Sequence, residues 1–327
     1  MTPAPPTLRD VLQARRAIRA HLRPTPLYAY PLLDRLVGAE VYVKHENHLP
    51  IGAFKIRGGI NLISRLTEAD RHAGVFAAST GNHGQSIAYA ARLFGVPATI
   101  YVPRDANAVK VAAMRAWGAE VVEHGRDFDE ARVQCAAHAA ERGARYVDHG
   151  NEPLLVAGVA TAAFEILEDE PSIEAIIVPL GGGSGAAGAC IVAQALSPET
   201  EVIAVQSDAA PAAYRSWKAR GLLEDEMRSF AEGLATRAAC ELTQRILWER
   251  LQDFVLVSDD ELRAATLEMI ELTRNLVEPA GAAPLAAALR LRERLAGKRL
   301  ALVCSGGNIS PDQLAELLAW GRERSLS

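Results

Sequence analysis

Short apolar strands alternate regularly with helices between Gly74 and Gly150, and this alternation constrains the fold more than any other feature. Strands joined by helices run parallel, and apolar strands in a parallel sheet are buried on both faces. The pattern therefore predicts a compact βαβ block with helices on both sides of its sheet. The predicted strands are GVFAAS, ATIYVP, EVVEHG and RYVDHG, and the helices between them are NHGQSIAYAARLFG, NAVKVAAMRAWGA and DFDEARVQCAAHAAERG.

The segments on either side of this block also mix strands and helices. We expect an α/β chain of two domains, each an open, mostly parallel sheet flanked by helices. Residues 1–70 and 151–327 form the predicted large domain, and residues 71–150 form the small one. Outside the block, the sequence predicts helices over 8–22, 154–169, 242–251 and 259–276, a β-run at 41–43, the strands AIIVPL, EVIAVQ and RLALVC, a loop-rich segment over 211–236, a turn at 278–281 and a terminal helix.

Composition and charge exclude several classes of protein. The 327 residues are 49% hydrophobic and 23% charged, which is ordinary for a globular protein with a large core. A net charge of −5, without a basic run, argues against a nucleic-acid partner. No apolar run is long enough to span a bilayer, and the N-terminal MTPAPPTLRD lacks the apolar core of a signal peptide. The four scattered cysteines are typical of reduced thiols, so we expect a cytoplasmic protein without a membrane partner.

Lys55 lies at the start of a predicted helix and is flanked by the small or apolar residues Gly52, Ala53, Phe54 and Ile56. Poor hydration and the positive end of the helix dipole both disfavour the ammonium form. They favour the free amine, which can form a Schiff base. The alternative is a lysine whose stem packs while its ammonium reaches water, as in most lysines. This stretch by itself leaves both interpretations open.

Residues 181–188, GGGSGAAG, join an apolar strand to a helix. Glycines let the backbone approach an anion, and the helix N-terminus presents free N–H groups to it, so the loop favours phosphate binding. The alternative is tight strand–helix packing without a ligand. The spacing Gly183-x-Gly185-x-x-Gly188 also matches a dinucleotide fingerprint, and Asp208 follows the next strand. A nicotinamide-dependent dehydrogenase therefore competes at this point.

A second polar loop, Ser79-Thr80-Gly81-Asn82-His83, again joins a strand to a helix. Its hydroxyl, amide and N–H groups suit a carboxylate and a ring hydroxyl. The alternative is a structural one, in which Ser79 or Thr80 caps the helix.

Ser305, followed by two glycines, comes at the end of the last predicted strand. In open α/β sheets, ligands gather beyond the carboxyl ends of the strands. Ordinary turn chemistry explains the same residues equally well.

His45 and His48 invite a metal interpretation. They are three residues apart at a strand end, so we expect their side chains to point to opposite faces. The helical HExxH spacing is absent from the sequence, which argues against metal ligation.

Taken together, six linked segments resemble one family. The sequence resembles the fold-type II pyridoxal-phosphate enzymes, specifically the threonine/serine dehydratase and serine racemase group. The resemblance implies a tryptophan-synthase-β-like fold, pyridoxal 5′-phosphate as cofactor, and a small domain that closes over an amino-acid substrate. The dehydrogenase fingerprint predicts only one of the segments. In chain order they are KHENHLPIGAFKIRGG, ASTGNHGQSIAYAARLFGVPATIYVP, PLGGGSGAAG, AEGLATRAACELTQRIL, VEPAGAA and CSGGN.

The resemblance also implies roles around the cofactor ring and phosphate. Lys55 matches the lysine that binds the cofactor covalently, and Phe54 matches the aromatic residue packed against the ring. Asn82 matches the residue that hydrogen-bonds the phenolic oxygen, and Ser305 the hydroxyl facing the ring nitrogen. The residues that match the phosphate cup are Gly181, Gly182, Gly183, Ser184 and Gly185.

Further matches complete the site. Gly233 and Glu278 match residues that line it on the cofactor side. The loop that holds the substrate carboxylate is matched by Ser79, Thr80, Gly81, Asn82 and His83.

Two departures distinguish this chain from the serine racemases. Those enzymes carry a serine at the position of Thr80, and the bulkier, β-branched threonine argues against efficient racemisation. Gln206 and Ala212 stand where the racemases have acidic cation ligands. We therefore expect no structural Mg²⁺ or Ca²⁺ there, and no other metal.

The resulting expectation is a lyase that converts a β-hydroxy amino acid of the L-threonine or L-serine type into a 2-oxoacid and ammonia by α,β-elimination. The alternatives are a serine-type racemase, a dehydratase of a larger substrate such as 3-hydroxyaspartate or phenylserine, and a cofactor-binding protein without turnover. Family analogy implies a homodimer.

Overall fold

The chain folds into two sheets, and the computed structural model describes residues 3–325. The larger sheet has six strands in the order β1-β2-β10-β7-β8-β9, and the smaller has four in the order β5-β4-β3-β6. β1 pairs antiparallel with β2, and the other paired strands run parallel. The predicted α/β class is therefore confirmed. The strands are β1 Leu27–Ala29, β2 Glu40–His45, β3 Val75–Ala78, β4 Ala98–Val102, β5 Glu120–Glu123, β6 Arg145–Tyr146, β7 Ala175–Pro179, β8 Glu201–Ser207, β9 Asp253–Val257 and β10 Arg299–Cys304.

Helices cover the sheets and also lie between them. A short 3₁₀ helix, Glu46–His48, follows β2. None of the helices within residues 3–325 combines the length and the apolar character that crossing a bilayer requires. The α-helices are α1 Leu8–Arg19, α2 Pro31–Val37, α3 Lys55–Ile63, α4 Glu68–Ala73, α5 Asn82–Phe94, α6 Ala108–Ala116, α7 Phe128–Glu141, α8 Pro153–Asp169, α9 Ser184–Leu196, α10 Ala212–Ala219, α11 Glu241–Arg250, α12 Asp259–Thr273, α13 Pro279–Arg290, α14 Arg292–Leu295 and α15 Pro311–Ser325.

The central strands β3 and β4 of the smaller sheet are buried on both faces, as the alternation of strands and helices predicts. On one face, Val75 and Ile100 belong to a core that includes Ile87 of α5 and Ile60 of α3. On the other face, Phe76 and Tyr101 pack in a cluster that contains Ala131 and Cys135 of α7. Strands covered on both sides read as nearly continuous apolar runs, which is why the sequence pattern was so clear.

The division into domains follows the sheets only in part. All four strands of the smaller sheet lie between residues 75 and 146, inside the predicted small domain. However, α3 belongs by sequence to the predicted large domain and shares a core with the smaller sheet. The boundaries at residues 70 and 150 stay a prediction. The predicted large domain begins at residue 1 and ends at residue 327. Met1, Thr2, Leu326 and Ser327 lie outside the described residues, so the structure does not test these two outer bounds.

Some predicted elements need correction. The predicted turn at 278–281 is wrong, because Pro279 opens α13, where proline is favoured at the first helical position. The helix predicted over 8–22 ends at Arg19, and the strand predicted as RYVDHG pairs only at Arg145 and Tyr146. Within the glycine-rich loop, Ser184 already begins α9.

α3 lies in direct backbone contact with α8. A Cβ atom on Gly158 of α8 would lie 2.6 Å from the carbonyl oxygen of Arg57 and 2.7 Å from the Cα of Gly58. Nothing larger than glycine fits at such a crossing without moving one of the helices. The register of α3 against α8 is therefore tightly defined.

Beside this crossing, a charged network is buried. Arg57 of α3 bridges Glu46 and Glu165, with Nε and Nη1 donating over 2.7 Å. Lys44 donates to Glu165 over 2.8 Å, and the side chains of Lys44, Glu46 and Arg57 are fully buried. Two cations face two carboxylates, so the network is neutral as a whole. Burial alone raises the pKa of Glu165, but the hydrogen bonds and charges of Arg57 and Lys44 lower it overall.

We expect Glu165→Gln to lower the free energy of unfolding at pH 7 by about 3–5 kcal/mol, because it leaves buried cations uncompensated. The folded pKa of Glu165 lies below the unfolded value of about 4.3, so its stabilisation is present above that pH and is lost as pH falls through the folded pKa. The variant should therefore lose less stability than the wild type on acidification from about pH 5 to about pH 3, measured by urea unfolding.

Glu168→Gln, on the exposed side of the same helix, is the matched control and should change stability by about 1 kcal/mol or less. If the free energy of unfolding depended on pH in the same way for wild type and Glu165→Gln, the lowered pKa assigned to Glu165 would be contradicted.

Candidate active site

Lys55 is the first residue of α3, and its amine reaches the first turn of α9. Its Nζ donates to Ser184 Oγ over 2.8 Å. The side chain is closely surrounded by protein, and this loss of hydration lowers the pKa of its ammonium to about 8. A lysine with this pKa has a substantial fraction of free amine at neutral pH. The structure therefore supports the reactive interpretation of Lys55 over that of an ordinary surface lysine.

The glycine run beside Ser184 packs tightly against its surroundings. A Cβ on Gly181 would lie 2.4 Å from the carbonyl oxygen of Gly233, and one on Gly182 would lie 2.5 Å from Cδ2 of His149. Gly183 has a φ of 86°, in the left-handed region that glycine adopts without strain. Close packing therefore requires glycine at these positions, whether or not a ligand binds. The loop still delivers the N-terminus of α9, whose first N–H groups lack intrahelical partners and suit a phosphate.

Phe54 and Ser305 form one wall next to the glycine run. The backbone N–H of Phe54 donates to the carbonyl of Ser305 over 3.0 Å. A Cβ on Gly185 would lie 3.1 Å from the ring atom Cε2 of Phe54. Val178, Val303 and small residues complete an apolar lining around Phe54 and Ser305. This environment suits the flat face and edge of an aromatic ligand.

A hydrogen-bonded chain of three side chains forms the opposite wall. Asn82, the first residue of α5, donates through Nδ2 to Glu278 over 2.7 Å. Asn82 Oδ1 accepts from Asn308 Nδ2 over 2.7 Å, and that same amide nitrogen donates to the carbonyl of Ile51 over 2.8 Å. Burial raises the pKa of the Glu278 carboxyl. The chain fixes the orientation of the Asn82 amide.

The loop that precedes α5 is held in shape by its own serine. Ser79 Oγ accepts from the backbone N–H groups of Gly81 and Gly84, over 3.1 and 2.9 Å. Ser79 thus satisfies an N–H group in the first turn of α5, but the expectation that Ser79 or Thr80 is the cap is wrong, because Gly81 occupies the N-cap position. Burial, with the charge of His149 beside it, lowers the pKa of His83 to about 3, so His83 is neutral. Within the loop itself, attraction for a carboxylate comes from N–H groups and the helix dipole.

A lysine that the sequence analysis did not single out lies beside the loop. A Cβ on Gly81 would lie 3.8 Å from Lys110 Nζ. Lys110, on α6, pairs with Glu232 over 2.5 Å, and Glu232 is the neighbour of Gly233. This ion pair connects a helix of the smaller sheet to the wall of the site.

Other site residues were also missed. Thr243 Oγ1 donates to the carbonyl of Gly182 over 2.9 Å, and Cys240 Sγ lies 3.6 Å from Nε2 of His149. Asn308 belongs to the C-S-G-G-N segment, so the resemblance offered a signal for it. His149 follows the last strand of the smaller sheet, where ligands gather at strand ends, and that rule was available too. Thr243 and Cys240 lie within the segment AEGLATRAACELTQRIL, so the resemblance offered a signal for them too.

The two histidines after β2 do not behave as expected. Their rings are stacked 4.8 Å apart, so the expectation that they point to opposite faces is wrong, because His48 already belongs to the 3₁₀ helix. His45 Nε2 lies 2.8 Å from the hydroxyl of Tyr30, and His48 Nε2 lies 2.6 Å from Asn275 Oδ1. Within residues 3–325, no group of His, Cys, Asp and Glu side chains is suited to hold a metal ion.

The place of the racemases' cation ligands is occupied by ordinary contacts. Gln206 Oε1 accepts from the backbone N–H of Tyr214 over 3.1 Å, and Ala212 is buried at the start of α10. The expected absence of a cation at this place stays a prediction.

The assembled site suits a ligand with a phosphate at one end and an aldehyde-bearing aromatic ring at the other. A reactive amine and an anion-binding helix N-terminus lie within hydrogen-bond distance of one another, through Lys55 and Ser184. Phe54, Asn82 and Ser305 are the residues that would contact the ring. Pyridoxal phosphate has this set of groups, so the residues present fit it.

Comparison with known proteins points to the same cofactor. The sequence model of the family described as "Pyridoxal-phosphate dependent enzyme" matches residues 18–306. The L-threonine ammonia-lyase of Thermotoga maritima is 36% identical over 321 residues, which are 98% of this chain and 80% of that protein. The L-threo-3-hydroxyaspartate ammonia-lyase of Saccharomyces cerevisiae is also 36% identical, over 97% of this chain and 98% of that protein.

Solved structures agree with the sequence relatives. The crystal structure of serine racemase from Dictyostelium discoideum superposes with a TM-score of 0.88 and is 31% identical. The superposition covers 93% of this chain and 99% of the racemase chain. The resemblance, fold class and cofactor expected from the sequence are thereby confirmed.

We expect the amine of Lys55 in the cofactor-free protein to react with an amine-directed reagent at a rate that is half-maximal near pH 8, because burial lowers its pKa. Exposed lysines titrate near 10.4. Rates for the Lys55 peptide and for exposed Lys218 would be compared by mass spectrometry between about pH 6 and pH 11. A Lys55 rate that keeps rising above about pH 10 would show that this amine is ordinary.

Proposed function

The chain belongs to the family of pyridoxal-phosphate-dependent enzymes, and from this premise we propose that it is an ammonia-lyase acting on a β-hydroxy amino acid. The single observation that carries the proposal is the amine of Lys55, with its pKa lowered to about 8, 2.8 Å from Ser184 at the start of α9. The relatives named L-threonine and L-threo-3-hydroxyaspartate ammonia-lyase support the reaction type. The proposed products are a 2-oxoacid and ammonia.

The proposed cofactor contacts are divided among four helix starts, one strand end and the loop that contains Gly233. The residues from Gly181 to Gly185 would hold the phosphate, and Phe54, Asn82 and Ser305 would surround the ring. Gly233 and Glu278 would complete the walls. When bound, pyridoxal phosphate supplies an aldehyde that an amine can hold covalently and a ring that delocalises negative charge from the substrate's α-carbon.

In this proposal Lys55 is the catalytic residue that moves the α-proton. A general base works best when its pKa lies near the working pH, and burial has lowered the pKa of Lys55 to about 8. The freed amine removes the proton from the α-carbon and holds it at Nζ. The β-hydroxyl then takes up a proton and leaves as water, so the elimination amounts to the loss of one water molecule. The released enamine takes up one water molecule and gives the 2-oxoacid and ammonia.

The loop from Ser79 to His83 would hold the substrate's carboxylate. Its proposed donors are the remaining backbone N–H groups at the start of α5. The N–H groups of Gly81 and Gly84 already donate to Ser79 Oγ, which holds the loop in shape. Because His83 is neutral, the loop would hold the carboxylate by directional hydrogen bonds rather than by the charge of an imidazolium. It orients the α-proton towards the lysine side of the site.

Ser305 supports elimination over transamination. It offers the facing ring nitrogen a hydroxyl rather than a carboxylate, and so does not favour protonation of that nitrogen. Weaker electron withdrawal from the α-carbon favours rapid loss of the β-hydroxyl over slower competing routes.

L-Threonine and L-serine are the proposed substrates. A substrate such as 3-hydroxyaspartate carries a second carboxylate, which needs a cation of its own. Lys110, beside Gly81, is already paired with Glu232, so a second carboxylate would have to compete with Glu232. This favours a substrate with a single carboxylate.

We also propose that residues 71–150 close over the substrate, and the Lys110–Glu232 pair between α6 and the site wall supports such a contact. A homodimer and a cytoplasmic location are proposals that rest on family analogy and on the sequence pattern.

Wild-type protein should release ammonia and a 2-oxoacid from L-threonine or L-serine faster than from 3-hydroxyaspartate or phenylserine. Lys55→Ala should abolish both products while the fold is retained, because no other amine would move the α-proton. Each substrate would be assayed for ammonia, 2-oxoacid and inverted enantiomer in the same reaction.

Lys218→Ala, at an exposed lysine of α10, is the control and should leave the rates unchanged. A protein that binds pyridoxal phosphate at Lys55 but releases no ammonia from any substrate would establish the alternative of binding without turnover.

The serine racemase from Dictyostelium discoideum supports one alternative activity, racemisation. Thr80→Ser should raise the ratio of inverted enantiomer to 2-oxoacid, since a smaller, unbranched hydroxyl moves more freely as an acid or base on the face opposite Lys55. Chiral chromatography of the L-serine reaction measures this ratio. If the wild type already inverts serine faster than it deaminates it, racemisation is the principal activity.

A further inference from the structure

We infer that Arg57 is a positioning residue for Lys55: it holds the first turn of α3 so that the Lys55 amine stays poorly hydrated and directed at the start of α9. The inference rests on the proposed function, in which Lys55 is the reactive amine. It assigns a task to a buried charged group that does not itself touch the proposed ligand.

Arg57 and Lys55 leave α3 on different sides. Residues two apart on a helix are separated by about 200° around its axis, so their side chains point in nearly opposite directions. Lys55 reaches Ser184 of α9, whereas Arg57 enters the buried network. A constraint on Arg57 therefore limits rotation of the turn that carries Lys55.

The guanidinium is gripped from two separate elements. Nε and Nη2 donate to the two carboxylate oxygens of Glu46 over 2.7 and 2.8 Å. Nη1 and Nη2 donate to the two oxygens of Glu165 over 2.7 and 2.8 Å. Glu46 belongs to the 3₁₀ helix after β2, and Glu165 belongs to α8. Two bidentate contacts on a planar group fix both its position and its orientation.

The same scaffold carries the partner of Lys55. α8 touches α3 at Gly158, and it touches α9 where a Cβ on Gly188 would lie 2.8 Å from the Cα of Ala160. α9 in turn begins at Ser184. Arg57, through Glu165, is thus tied to the helix that sets the position of the glycine loop.

Geometry, rather than stability, is what such a network supplies best. Burying charges costs desolvation energy that their mutual attraction only partly offsets, so buried ion pairs often stabilise a fold no more than apolar residues of the same volume. A planar, bidentate arginine does restrict orientation, and a lysine in its place cannot grip both carboxylates in this way.

Lys44 provides a matched control within the network. Its side chain is fully buried and donates to Glu165 over 2.8 Å and to the carbonyl of Thr25 over 2.7 Å. However, it lies on β2 and has no place on α3. Loss of Lys44 removes a buried cation of the same network but leaves the grip of Glu46 on Arg57.

The test compares wild type with Arg57→Lys and Lys44→Met. Each protein would be incubated with pyridoxal phosphate at a series of concentrations and pH values, and the adduct would be reduced with borohydride and quantified on the Lys55 peptide. Thermal unfolding of the same samples measures stability. These readouts do not depend on turnover.

We expect both variants to lower the melting temperature. Only Arg57→Lys should weaken trapping of pyridoxal phosphate at Lys55, by roughly tenfold or more, since small displacements of a reactive group have effects of this order. It should also raise the pH at which trapping is half-complete towards the ordinary lysine value of about 10.4, because a loosened turn lets water reach the amine. Lys44→Met should keep the wild-type pH of half-complete trapping, and its affinity for pyridoxal phosphate in the same trapping experiment should stay within about twofold of the wild type.

Equal trapping curves for Arg57→Lys and Lys44→Met would overturn the inference and leave Arg57 with a structural role only. Should Arg57→Lys fail to fold, Glu46→Gln keeps the shape of one partner, removes its charge, and should shift the midpoint in the same direction by a smaller amount. An unshifted midpoint in that variant would also overturn it. If wild-type protein forms no adduct at Lys55, the proposed function itself fails, whatever the variants do.

Discussion

The contact of α3 with α8 is the constraint on which the site depends. Two helices can lie this close only where one of them presents glycine, and Gly158 does so against the backbone at Arg57. The buried network beside it adds directional bonds to this steric contact, as does the hydrogen bond from Asn61 Nδ2 of α3 to the carbonyl of Leu154 of α8, over 2.7 Å. Together they place the start of α3 relative to α8, and through α8 relative to α9. The distance between the Lys55 amine and the glycine loop follows from these packing relations.

Helix starts meet at the site. α3 begins with Lys55, α5 with Asn82, α9 with Ser184, and α13 just after Glu278. The direct contacts Lys55–Ser184 and Asn82–Glu278 join them in pairs. Each start offers unpaired N–H groups and the positive end of a dipole. A ligand with phosphate and carboxylate groups is attracted by all of them, while the ammonium form of a nearby lysine is disfavoured. One arrangement thus explains both anion binding and a reactive amine.

Sequence reasoning succeeded where a signal is local and failed where a residue's partner is distant. The central strands β3 and β4 of the smaller sheet are almost entirely apolar because they are covered on both faces, and their pattern could be recognised without any partner. Residues 278–281 looked like a turn because proline and glycine are close together there. Proline is also favoured at the first position of a helix, and this second local signal was overlooked. His45 and His48 were misjudged because the strand ends between them. Thr243 and Cys240 lie within the segment AEGLATRAACELTQRIL, but that segment does not show what they contact. The packing of α11 and the loop before it brings them to the site.

By itself, the sequence determined the α/β class, the order of most elements, and the loops that carry the chemistry, since hydrophobic periodicity and glycine-rich turns act over a few residues. It also carried the resemblance from which the cofactor was expected. Only the tertiary structure decided which buried charges face one another. Arg57 and Glu165 are 108 residues apart in the chain, and the sequence around either residue does not indicate that the two form an ion pair. Their pairing, and the lowered pKa of Lys55, arise from desolvation and contact between distant segments, which exist only once α3, α8 and α9 have packed together.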